Sequence, residues 1–259
     1  VAYSKKEIKG EGDKMFKSIA RELTQFEKDY ACKIIYVVEA GSRVWGYSSQ
    51  NSDYDIRFIF KHPVRAYCSL TNPISVIEKK LPMIEFHGWD LLKALQLYQK
   101  SNPSLYEWLF SSIIYDENSG CIEELRSLAK THYSLKKLGF HYLSLAKSNI
   151  KKEVKTPKMV IQINRALLMV KWIVERKELP PLSIEQLLYN SNLESAVSQQ
   201  LVSLLRSLQE QKKEIMFHNN DETIIKAIDD LSVKLQYLDE GIQNTSILNK
   251  LFWKELNIL

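Results

Sequence analysis

Two adjacent stretches of the chain leave little freedom in how it folds. Lys33-Ile34-Ile35-Tyr36-Val37-Val38-Glu39 runs directly into Ala40-Gly41-Ser42, and Asp53-Tyr54-Asp55-Ile56-Arg57-Phe58-Ile59-Phe60 follows, with residues 43 to 52 between. The first stretch is rich in β-branched and aromatic residues and ends in a small turn, the pattern of a buried strand that stops abruptly. The second alternates. Asp53, Asp55 and Arg57 fall on one face, expected to look toward solvent, while Tyr54, Ile56, Phe58 and Phe60 fall on the core face. Carboxylates at i and i+2 of a strand project on the same side, close enough to share a divalent cation. Gly41 lets the backbone approach a phosphate closely, and Ser42 adds a hydroxyl donor. If Arg43-Val44-Trp45 begins a short helix, its free N–H groups face the same anion.

A third carboxylate completes this chemistry, and Glu85 in Pro82-Met83-Ile84-Glu85-Phe86-His87 is the best candidate. Met83, Glu85 and His87 share a face opposite Ile84 and Phe86. Beside the Asp53/Asp55 strand, Glu85 can ligate a metal and help deprotonate an attacking hydroxyl. Glu78, in a neighbouring apolar stretch, is the alternative. Hard oxygen ligands of this kind suit Mg²⁺, with Mn²⁺ as a substitute, held together with the phosphates of an NTP substrate. The chemistry this arrangement serves is nucleotidyl transfer by two metals. No His/Asp partner marks Ser42 as a covalent nucleophile. His87 and His141 read as structural, and Trp89, Trp108 and Trp172 as core; Trp45, beside the turn, is harder to dismiss.

The organisation changes near residue 118. Before it come a leading helix with Met15, Ile19, Leu23 and Phe26 on one stripe, and strands at about 33–39, 55–60 and 83–87. A helix starts at Trp89, and Asn102-Pro103 opens another. Asp116-Glu117-Asn118-Ser119-Gly120 reads as a turn or linker. Beyond it the pattern is helical: Val160, Ile163, Leu167, Val170 and Val174 repeat at spacings of three and four. Pro180-Pro181 ends that segment, and Asn219-Asn220-Asp221 separates two later helices. The expected fold class is α+β, with a small mixed-sheet domain over residues 1–117 and an all-α helical-bundle domain over 118–259.

With 259 residues the chain can bury a full core. No apolar run approaches the ~18 residues needed to cross a bilayer, and no signal peptide opens the chain, so no membrane partner is expected. Cys32, Cys68 and Cys121 are odd in number and lack metal-site spacing, which suits reduced thiols in a cytoplasm. The net charge of +5 is compatible with nucleotide or RNA partners. Lys147, Lys151, Lys152, Lys155 and Lys158 form a basic run that RNA phosphates could meet.

Gly41-Ser42 followed by Asp53-Tyr54-Asp55-Ile56 resembles the signature of the DNA polymerase β-like nucleotidyltransferase superfamily. The longer string from Glu39 to Phe60, with Gly88-Trp89-Asp90-Leu91-Leu92-Lys93-Ala94-Leu95 and Ser101-Asn102-Pro103-Ser104-Leu105-Tyr106-Glu107-Trp108-Leu109, resembles one branch. That branch is the YcgL-like predicted nucleotidyltransferases, the RNA-repair-pathway polymerase β family. The resemblance is strongest over residues 36 to 115, continues through His141–Lys147 and fades toward the C-terminus. It implies a nucleotidyltransferase in which Gly41 and Ser42 hold the triphosphate, Asp53 and Asp55 bind metal, and Glu85 stands where relatives usually place an aspartate. Arg43, Trp45 and Arg57 also match, and Arg43 and Arg57 become nucleotide-binding candidates. Lys61 to Cys68 departs from the branch. The family implies an RNA 3′ end as acceptor. A regulator or antitoxin-like modifier of a partner protein, a small-molecule nucleotidyltransferase and an inactive RNA-binding module are the alternatives.

Overall fold

The computed structural model describes residues 11–152, 156–189, 201–206, 221–242 and 244–258. The run from Lys33 to Glu39 forms strand β1, buried at every position after Lys33, and a strand of that kind must be covered on both faces. On one side it pairs antiparallel with β2 (Tyr54–Lys61), on the other with β5 (Ile114–Glu117). β2 pairs in parallel with β4 (Ile84–Asp90), which is antiparallel to β3 (Val76–Leu81). The result is a mixed five-stranded sheet in the order β3-β4-β2-β1-β5. The fold is α+β.

Helix α1 (Glu11–Asp29) places Ile19, Leu23 and Phe26 at helical spacing and covers one face of the sheet. They bury against Ile34, Val37, Ile56, Phe58, Phe60 and Phe86, with the Phe26 ring stacked on Phe58 at 5.7 Å between centroids. The opposite face, expected to look toward solvent at Asp53, Asp55 and Arg57, is covered beyond them: Ile59 shares that face and is 0% exposed. Helices α4 (Leu91–Gln99) and α5 (Pro103–Leu109) pack there with Tyr36, Val38 and Trp89. Only the end of the face that carries Asp55 and Arg57 stays open.

The same core continues into α6 (Gly120–His132), α7 (Leu135–Ile150) and α8 (Pro157–Arg176), so apolar packing is unbroken across residues 117 and 118. Of the α8 stripe, Val160, Ile163 and Val170 are buried, together with Ile161, Ala166, Met169 and Ile173. Arg126 ties α6 to the sheet, donating to Glu117 Oε2 at 2.7 Å and to the Tyr36 hydroxyl at 3.0 Å.

Two element boundaries differ from the sequence reading. Trp89 and Asp90 belong to β4, and Asp90 caps α4 by accepting the Leu92 N–H at 3.0 Å. Asp116 and Glu117 belong to β5, and Ser119 caps α6. Asn102 caps α5 as expected, accepting from Leu105 N–H at 3.0 Å. Further helices are α2 (Gly41–Trp45), α3 (Val64–Tyr67), α9 (Ile184–Tyr189), α10 (Asp221–Gln236) and α11 (Thr245–Glu255). Asn219, Asn220 and Lys155 lie outside the described residues. Among the described residues, no helix is long and apolar enough to cross a membrane.

Candidate active site

The turn after β1 is fastened to Asp55 from two sides. Glu39, 0% exposed, accepts the Asp55 N–H on Oε1 at 2.8 Å, and the Ala40 N–H donates to the Asp55 carbonyl at 2.9 Å. Glu39 Oε2 takes the Tyr115 hydroxyl. Burial nevertheless pushes the Glu39 carboxyl above its ordinary pKa, more than these bonds and Arg43 hold it down. Gly41 follows with φ of +66°, and a Cβ there would lie 2.1 Å from Asp55 Oδ2. The space beside the Asp55 carboxylate therefore exists only because residue 41 has no side chain. Ser42, 6% exposed, sits next in the turn and lines the same cleft.

Asp55 and Glu85 are register partners across the parallel pair β2·β4. Arg57 Nη2 joins them, 3.1 Å from Asp55 Oδ1 and 2.9 Å from Glu85 Oε1. Burial raises the Asp55 carboxyl above the usual carboxylate range; Arg57 and Lys158 pull it down, Glu85 and Asp53 push it further up. Asp53 precedes β2 by one residue and is exposed. Among the described residues, no three His, Cys, Asp or Glu side chains gather closely enough to hold a metal between them. The structure thus brings Asp55 and Glu85 together with Arg57 and leaves Asp53 at the edge. Glu78, on β3, pairs instead with His87 Nδ1 at 2.8 Å. Arg43 braces the loop before β2: its guanidinium donates to the Ser52 carbonyl at 2.7 Å and lies 3.7 Å from the Tyr54 ring centroid.

Ala40, Gly41, Ser42, Asp55 and Arg57 form one wall of a cleft of about 410 Å³, whose other wall is helical; Glu85 lies outside this lining, beyond Arg57, with Glu78 and His87. Glu107 on α5 is the hub of the helical wall. It accepts from Trp45 Nε1 at 3.2 Å, from the Tyr142 hydroxyl at 3.0 Å and from Arg165 Nη2 at 3.2 Å. Arg165 is 3% exposed and its guanidinium lies 4.5 Å from the Trp45 ring centroid. Lys158, from the first turn of α8, faces the cleft as well. The sequence reading gave Glu107, Tyr142 and Arg165 no role. An arginine in the middle of the apolar stripe of α8 was the one visible signal, since a charge there must be paired when buried.

Residues 15–257 match the RNA repair pathway DNA polymerase beta family. The chain belongs to this family. It is 34% identical over 249 residues to the uncharacterized protein YcgL of Bacillus subtilis (strain 168), an alignment covering 92% of this chain and 95% of that one. The family places the chain among the nucleotidyltransferases, the class to which Gly41-Ser42 and Asp53-Tyr54-Asp55 pointed. Among solved structures, spectinomycin adenyltransferase AAD(9) from Enterococcus faecialis, with ATP and spectinomycin, superposes with a TM-score of 0.46 at 13% identity. That superposition covers 86% of this chain and 98% of the other. A nucleotidyltransferase-like protein from Exiguobacterium sibiricum 255-15 superposes with a TM-score of 0.28 at 9% identity, covering 93% and 80%.

Proposed function

We propose that the protein moves a nucleoside monophosphate group from an NTP to a hydroxyl acceptor, releasing pyrophosphate. The observation that carries this reading is the packing of the Gly41 turn against Asp55 Oδ2, beside a carboxylate pair in strand register and opposite Lys158. Gly41 and Ser42 position the triphosphate, and Lys158 meets its negative charge from the helical wall. Glu85, 43% exposed at its side chain, is open enough to receive the proton of the attacking hydroxyl.

The donor set fits a divalent metal. Mg²⁺ is ordinarily held by one or two carboxylates plus substrate phosphates, so the lack of a three-side-chain cluster among the described residues does not count against it. Asp53 and Asp55 would hold one ion, and Glu85 would help hold a second. Such ions would neutralise the triphosphate and lower the pKa of the acceptor hydroxyl.

The acceptor we assign is an RNA 3′ end, supported by the family and by exposed Lys147, Lys151 and Lys152 at the end of α7. Residues 1–117 would carry the chemistry, and 118–259 would close the cleft and supply base and acceptor contacts, with Lys158 also meeting the triphosphate. A reducing cytoplasm suits Cys32, Cys68 and Cys121, all unpaired. Incubation with each labelled NTP, Mg²⁺ or Mn²⁺, and separate RNA, protein and small-molecule pools tests the assignment. Label should enter the RNA pool and be lost in the Asp53→Asn/Asp55→Asn double variant. Label in the protein or small-molecule pool alone would overturn the RNA assignment, and label nowhere would overturn transfer itself.

A further inference from the structure

Two carboxylates in register on adjacent strands repel each other unless a cation stands between them. Arg57 supplies that cation from within the chain. Besides its bonds to Asp55 and Glu85, its Nη1 lies 3.5 Å from the carbonyl oxygens of Ile56 and Glu85, so the guanidinium is fastened to both strands. Its side chain is 16% exposed, and the residue lines the cleft into which Gly41 and Ser42 also open. Between Asp55 Oδ1 and Glu85 Oε1 the guanidinium occupies carboxylate oxygens that metal ions held by these residues would need. A guanidinium does not lose its proton in proteins, so it leaves this place only by displacement.

We propose that Arg57 is a resident counter-ion exchanged for substrate: in the free protein it neutralises Asp55 and Glu85, and on loading it yields them to the metal and turns onto the triphosphate. This rests on the nucleotidyl-transfer reading. A divalent ion arriving alone must evict a partly buried guanidinium and leave it without an anion, which is costly. A divalent ion arriving with a triphosphate brings the displaced guanidinium a new anion, and arginine is suited to bidentate phosphate contacts. Metal and nucleotide therefore bind with positive coupling, and the coupling is reciprocal. The cleft stays charge-matched when empty and opens its carboxylates to the metal–nucleotide complex. Lys158, which also acts on Asp55, comes from α8 and bridges no carboxylate pair, so it does not perform this exchange.

The test is Mn²⁺ binding, followed by electron paramagnetic resonance of the free ion. It is measured with and without an ATP analogue carrying a methylene group between the α- and β-phosphates, for wild type, Arg57→Gln and Arg57→Lys. Arg57→Gln should bind Mn²⁺ alone about tenfold or more tightly than wild type, from removal of one charge within contact distance. It should also lose most of the further tightening that the analogue gives. Arg57→Lys, which keeps the charge but not the bidentate fork, should stay close to wild type for Mn²⁺ alone and keep only part of the further tightening. In wild-type protein, the side-chain Nε–Hε resonance of Arg57 should shift on adding Mg²⁺ with the analogue and not with Mg²⁺ alone. That measurement decides the matter even where Arg57→Gln folds poorly. A wild type that binds the metal–analogue complex with no shift at Arg57, or a folded Arg57→Gln with unchanged Mn²⁺ affinity, overturns the exchange and leaves the transfer reading intact. A wild type that binds neither metal nor nucleotide overturns both.

Discussion

Gly41→Ala should damage the site far more than the backbone. Gly41 has φ of +66° and Gly46, five residues on, has φ of +88°, so alanine at either position incurs the left-handed penalty of about 1–2 kcal/mol. The two differ in what the new methyl group meets. At Gly46 the nearest atoms are Ser183 Oγ at 3.6 Å and Ile184 Cγ2 at 3.8 Å, ordinary contacts. At Gly41 they are Asp55 Oδ2 at 2.1 Å and Asp55 Cγ at 3.0 Å. Turning the carboxylate about its last bond moves Oδ2 and leaves Cγ too close, so the whole side chain must swing. The Asp55 backbone resists following, because its N–H is held by Glu39 and its carbonyl by the Ala40 N–H. The swing breaks the 3.1 Å bond to Arg57, a further loss of about 1–2 kcal/mol. Gly41→Ala should therefore be about 2–4 kcal/mol less stable than wild type in urea melts followed by tryptophan fluorescence, and Gly46→Ala about 1–2. Calorimetry with Mg²⁺ and a non-hydrolysable ATP analogue should show binding lost in the first variant and kept in the second. Equal stability and equal nucleotide affinity in the two variants would refute the packing argument.

Glu107→Ala leaves Arg165, 4% exposed at its side chain, without its carboxylate; about 3 kcal/mol of stability should be lost, with less for Glu107→Gln, and a urea midpoint close to wild type for both would contradict the hub. Lys158→Gln should weaken the ATP analogue about tenfold or more, whereas Lys151→Gln/Lys152→Gln should spare it and lower the log–log salt slope of RNA binding by about 0.7–0.9 for each RNA phosphate no longer neutralised. Burial pushes the Cys121 thiol from 9.0 up to about 12, so the folded chain keeps a proton that the unfolded chain loses as pH rises above 9. Stability should then fall with rising pH between 9 and 12 at up to about 1.4 kcal/mol per pH unit from this group, a slope that Cys121→Ala should reduce; a pH-independent melting midpoint across that range would oppose it. At pH 8, a thiol reagent should label exposed Cys68 in the folded protein and reach buried Cys32 and Cys121 only on unfolding.

The central strands were legible because their constraints are local. Lys33–Glu39 can hardly be anything but a buried strand, and the alternation of Tyr54 to Phe60 fixed which residues of β2 meet α1. The edge strands were not. β3 reads Val76-Ile77-Glu78-Lys79-Lys80-Leu81, with only Ile77 buried, and β5 is the four residues Ile114–Glu117. Edge strands are commonly short and charged, so their sequence carries weak periodicity and their pairing is set by the neighbour. The same limit hid the cover over Ile59. Alternation tells which residues share a face, and a face that carries Ile59 among Asp55, Arg57 and Lys61 is covered or open according to what packs from elsewhere in the chain.

In the site, the turn and the carboxylates were readable while the opposite wall was not, and the reason is sequence separation. Trp45, Glu107, Tyr142 and Arg165 are spread over four helices and meet only through the packed core that joins α5, α7 and α8. Only Arg165, a charge within the apolar stripe of α8, is chemically unusual where it stands. Their meaning comes from burial: Arg165 at 3% exposure and Glu107 at 15% side-chain exposure require each other, because either charge alone would be costly inside the protein. Arg57 shows the same logic nearer the surface: the family resemblance made it a nucleotide-binding candidate, and in the structure its side-chain bonds are to the acids Asp55 and Glu85. Two charge-matched groups thus meet at the cleft, Asp55–Arg57 with Glu85 beyond on the strands and Glu107–Arg165 on the helices. The strand group is the one that the proposed exchange would rearrange, because Glu85 and Asp55 are still reachable at 43% and 28% side-chain exposure, while the Glu107–Arg165 pair is closed in.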